Sequence, residues 1–95
     1  MAQVAQTTQQ RINHLLESSF NEWEELPEIE ATINQWDQLE QMTFIEEWTL
    51  AEERLKRLAC YAATDTLSHE QQARYNALQQ VVTRNRPIIE RLRAS

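Results

Sequence analysis

None of the 95 residues is glycine. Hairpin turns, bulges and phosphate-cradling loops use backbone angles that only glycine adopts freely, so a β or α/β architecture of this size is disfavoured. The P-loop and dinucleotide fingerprints cannot be written in this chain at all. What remains is a set of helices joined by turns that other residues must cap. Leu, Ile, Val and Phe together number 21 of 95, only just above the roughly 20% level below which charged chains stay unfolded. The core is therefore expected to be thin, and burial against a partner or a second copy would add to it.

Charge is divided along the chain. Residues 1–53 carry 12 of the 15 acids and one base, Arg11, whereas residues 54–95 carry eight bases against Asp65, Glu70 and Glu90. A net of −11 precedes a net of +5, giving −6 in total. Such asymmetry marks either a docking surface or two halves that neutralise each other on folding. The preferred reading is the second: Arg84, Arg86, Arg91 and Arg93 return antiparallel alongside Glu28, Glu30, Asp37, Glu40, Glu46 and Glu47, setting helix order while adding little stability.

Hydrophobic periodicity predicts three helices in one domain spanning residues 1–95, at about 8–25, 27–63 and 68–93, with 1–6 flexible. The first opens on Thr7 and Gln10 in capping-box spacing and carries Ile12, Leu16, Phe20 and Trp23 as a stripe. Leu26-Pro27 ends it, since proline disfavours helix at the residue before it and suits the start of a new one. The second, unbroken, would be about 54 Å long at ~1.5 Å per residue, with a bend expected near Gln41 to Thr43. The third begins with Ser68 and Gln71, again a capping pair, and continues through Tyr75, Leu78, Val81, Val82, Ile89 and Leu92. Pro87 lies inside that pattern, so a kink or a separate terminal helix is expected there. The fold class is all-α: a small antiparallel three-helix bundle with a long central helix and a Pro-kinked C-terminal helix.

No motif of catalysis is present. Di-iron helical bundles need Glu-x-x-His pairs on two helices, but His14 and His69 are preceded at that spacing by Arg11 and Thr66. Cys60 follows Lys56 and Arg57 by about one turn, yet a nucleophilic thiol also needs a positioned base. The expectation is a non-enzyme with no metal and no cofactor. The N-terminus has neither the basic nor the apolar block of a secretory signal, and no apolar run reaches ~18 residues, so a soluble, cytoplasmic chain without membrane contact is expected.

Candidate residues come instead from the middle helix. Leu39, Met42 and Ile45 point away from the stripe formed by Phe44, Trp48, Ala51, Leu55 and Leu58, which makes this stretch apolar on more than one side. Trp36 abuts it, and tryptophan is enriched at interface hot spots. The leading expectation is a helical adaptor or regulator that binds another protein, or a second copy of itself. Trp36, Leu39, Met42 and Ile45 would supply affinity, and Glu40, Glu46 and Glu47 would steer a basic partner. The alternative is a nucleic-acid-associated factor using Arg84, Arg86, Arg91 and Arg93, a reading opposed by the acidic total.

Overall fold

The structure is a computed structural model that describes residues 7–94; the flexible segment expected over 1–6 lies outside the described residues. Three long helices, α1 (Thr8–Glu24), α3 (Gln38–Ala63) and α4 (His69–Ala94), form the bundle, and a seven-residue helix α2 (Leu26–Thr32) links the first two. No strand is present among the described residues.

Each long helix begins with a reciprocal cap. Thr7 Oγ1 accepts from the Gln10 N–H at 3.1 Å, and Gln10 Oε1 accepts from the Thr7 N–H at 2.9 Å. Ser68 and Gln71 repeat the arrangement at 3.1 and 3.0 Å. Each pair satisfies two N–H groups that a helix start otherwise leaves unbonded. At the other end of α3 the chain must turn without glycine. Asp65 takes the left-handed position, with φ 58°. The Thr66 N–H bonds the Tyr61 carbonyl at 3.0 Å and the Asp65 N–H bonds that of Ala62 at 3.2 Å, which together make a Schellman close. Aspartate is one of the few residues that tolerates this angle.

The middle helix expected over 27–63 is not continuous. A 3₁₀ turn at Ile33–Gln35 follows α2, Trp36 is extended with ψ 152°, and α3 starts only at Gln38. The cause is a third capping box: Asp37 Oδ1 accepts from the Glu40 N–H at 2.8 Å, and Glu40 Oε1 accepts from the Asp37 N–H at 3.3 Å. Asp37 thus starts a helix where periodicity alone continues one. The break precedes the Gln41 to Thr43 bend expected from the sequence. It also lets the chain fold back, since an unbroken helix of about 54 Å would exceed the molecule's longest extent of 47 Å.

Pro87 lies within α4, which runs on to Ala94 rather than breaking into a separate terminal helix. Pro87 cannot bond the Thr83 carbonyl, but both residues are exposed, so water can take that acceptor. Ile88 and Ile89, which follow directly, are buried in the core and anchor the last turns of the helix there.

Chain direction alternates from α1 to α3 to α4, so α1 and α4 run parallel. Gln71 Nε2 donates to the Gln9 carbonyl at 3.1 Å and Asn85 Nδ2 to the Trp23 carbonyl at 2.8 Å, a constant offset of 62 residues. The core lies along this pair: Ile12, Leu16 and Trp23 of α1 meet Leu78 and Ile89 of α4, and Leu58 of α3 closes the third side, all with no exposed surface. The radius of gyration, 15.4 Å, exceeds the roughly 12 Å of a compact chain of this length. The bundle is elongated, and part of α3 is left without cover.

Candidate functional site

The uncovered part is the head of α3. From Gln38 to Glu47 no residue is buried, and Leu39 and Met42 are 72% and 54% exposed. Ile45 and Trp36 are half-buried, whereas Glu40, Glu46 and Glu47 are exposed around them. The residues singled out by periodicity are therefore brought onto one helix end, although they look to different sides of it. Trp36, Leu39, Glu40, Thr43, Phe44 and Glu47 line a cleft of about 420 Å³. Met42, Ile45 and Glu46 line another of about 340 Å³, floored by Ile33 and bounded by Leu92 and Arg93 of α4. Leu50, further along α3, is 55% exposed and was not among the residues expected to form this surface.

An aromatic file ties this end to the core. Trp23 meets Trp48 edge-on at 5.0 Å, Trp48 meets Phe44 at 5.7 Å, and Phe44 meets Trp36 edge-on at 5.9 Å. Edge-to-face pairs at these separations are favourable beyond their buried area. Exposure rises along the file, from none at Trp23 and 4% at Trp48 to half-buried Phe44 and Trp36. The surface rings are thus held by rigid neighbours.

A third cleft, of about 220 Å³, adjoins the Trp36 cleft through shared Phe44 and Glu47, and adds Glu22, Glu25, Ile29, Trp48 and Ala51. Sequence reasoning missed Glu22 and Glu25 here, because helix periodicity shows which acids share a face of α1 but not that α3 lies beside it. Burial pushes the Glu22 carboxyl above its ordinary range; the opposing pull of Arg54 does not overcome it, and Glu25 adds to it. Glu22 Oε2 pairs with Arg54, while Oε1 is buried without a hydrogen-bond partner. Three carboxylates and an aromatic floor make a surface suited to a cationic side chain.

The arginines of the C-terminal half are largely spent inside the molecule. Arg91 makes a two-pronged bond to Glu30, both distances 2.8 Å, which lowers the Glu30 carboxyl below its usual range and raises Arg91. Arg86 reaches Glu52 at 3.2 and 3.5 Å, with Arg93 at 4.0 Å from the same carboxylate. The Arg86 guanidinium also lies over the Trp23 ring, 5.0 Å from its centroid. Of the acids expected to neutralise this face only Glu30 does so; Glu52 takes the rest, because α4 packs most closely along α1 and α2 and touches α3 further along. Arg84 is exposed and makes no ion pair among the described residues.

Cys60 is exposed, and among the described residues no three His, Cys, Asp or Glu side chains gather in a way that could hold a metal ion. No helix among them is long and apolar enough to cross a membrane. No protein-family model, curated protein or solved structure matches the chain, so its functional reading rests on this geometry.

Proposed function

We propose that the protein is a small non-enzymatic helical adaptor or regulator that binds a basic amphipathic segment of another protein at the head of α3. The observation that carries this reading is the exposure of Leu39 and Met42 within a ring of Glu40, Glu46 and Glu47. Large apolar side chains left open on so thin a core favour association. The acids select the partner: a second copy would bring the same carboxylates against these, whereas a segment rich in Lys and Arg is drawn to them. Apolar anchors would enter the Trp36 and Met42 clefts, with a cationic side chain reaching Glu22, Glu25 and Glu47.

The nucleic-acid alternative is weaker because Arg86, Arg91 and Arg93 already face carboxylates, and a phosphate would have to displace them. Selection from a random peptide library tests the proposal. Enrichment of Lys and Arg with Leu or Ile at helical spacing, lost on Leu39→Asp, is the expected result. A consensus unaffected by Leu39→Asp, or one rich in acids, would overturn it.

A further inference from the structure

Every cleft described so far contains a carboxylate, as does one between α3 and α4 bordered by Glu52. One does not. Between α1 and α3, Arg11, His14, Leu15 and Ser18 face Arg54, Arg57 and Tyr61 across about 420 Å³. Six of these seven residues carry a hydrogen-bond donor, and only Leu15 does not. On a chain of net charge −6 this is an unexpected place for cations to gather.

Four of the eight arginines are paired within the molecule. Arg54, Arg86, Arg91 and Arg93 each have a carboxylate partner. Arg11, Arg57, Arg74 and Arg84 have none within ion-pair distance among the described residues; of these, Arg11 and Arg57 line the same cleft, where the Ser18 and Tyr61 hydroxyls make no hydrogen bond among the described residues. Arg11 is also the only base before Arg54, set among acids that could have neutralised it. Arg54 is bonded on one nitrogen by Glu22, which leaves its other N–H groups to serve a second acceptor. Glu53, one turn before Arg57 on α3, and Glu17, one turn after His14 on α1, do not line the cleft.

We propose that this cleft is an anion site for a phosphoryl group, carried on a small phosphate monoester or diphosphate. Two uncompensated guanidinium groups supply charge and forked donors matched to phosphate oxygens. Arg54, His14 and the two hydroxyls complete a donor set drawn from both helices. The site does not depend on the head of α3 and stands or falls separately from the peptide-binding reading.

The test is a titration of the ¹⁵N-labelled 95-residue chain with pyrophosphate and, separately, with free phosphoserine, in phosphate-free buffer at fixed ionic strength. Saturable amide shifts centred on Arg11, His14, Ser18, Arg57 and Tyr61 are expected, and the tighter probe identifies a diphosphate or a monoester. The double variant Arg11→Gln/Arg57→Gln weakens binding about tenfold or more, while Arg84→Gln leaves it unchanged. Arg11 and Arg57 are exposed, so the double variant keeps its circular dichroism spectrum. No saturation with either probe, equal affinity in the double variant, or shifts centred on Arg84 would each overturn the assignment. So would a single-stranded oligonucleotide that binds tighter than both probes and needs Arg84.

Discussion

Asn85 Nδ2 donates to the main-chain carbonyl of Trp23 at 2.8 Å, inside the bundle. Trp23 is in the last turn of α1, where carbonyls run out of N–H partners, so a side chain of α4 finishes the end of another helix. Arg86, the next residue, covers the Trp23 ring. The run Asn85-Arg86-Pro87, irregular when read along the sequence, is thus the place where α4 grips the end of α1. Replacing Asn85 with Leu removes this buried hydrogen bond to the carbonyl, and is expected to cost about 1–3 kcal/mol, read as a lower urea midpoint at unchanged slope.

Leu39→Asp and Met42→Asp are expected to leave stability within about 0.5 kcal/mol of the parent, since both side chains are mostly in water. Partner binding should be lost in the same variants. Chemical denaturation beside a binding assay separates the two effects; unfolding of both variants would place these residues in the core instead.

Asp37→Ala removes the cap that opens α3. A loss of about 1 kcal/mol is expected, concentrated in the first turns of α3, which have no buried residue to hold them. Faster amide hydrogen exchange in the first turns of α3, with the Trp48 to Leu58 region unchanged, is the measurement that checks it.

Pro87→Ala restores an N–H able to bond the Thr83 carbonyl on an exposed helix face. Stability is expected to rise by about 1–3 kcal/mol, seen as a higher melting temperature.

Two glutamates should pull the acid response in opposite directions. Glu30 has its folded pKa depressed by Arg91, so its stabilisation is present above the ordinary carboxyl range and lost as pH falls through the lowered folded value. Glu22 has its folded pKa raised by burial. Folding therefore disfavours its charge at neutral pH, and that penalty is relieved as pH falls through the raised folded value toward the ordinary one. Urea titrations at pH 7 and in the acid range should show Glu30→Gln less sensitive to acidification than the parent, and Glu22→Gln more sensitive.

Local chemistry was legible along the chain; relations between helices were not. The all-helical class followed from the missing glycine and from apolar spacing. The caps at Thr7 and Ser68 could be read because both partners lie three residues apart. Asp37 and Glu40 have the same spacing, yet the apolar rhythm running through them masked the break. The sign of the charge split was visible, but Arg86 meets Glu52 and Arg91 meets Glu30 only because α1 and α4 run parallel at a fixed offset, with α2 and α3 placed around them. Periodicity also gives the direction of Leu39 about its own helix axis and nothing about whether a neighbour stands there. That absence of cover, and the meeting of Arg11 with Arg57 across one cleft, depend on how helices pack. Packing is decided by the summed fit of distant side chains, which no single stretch of sequence contains.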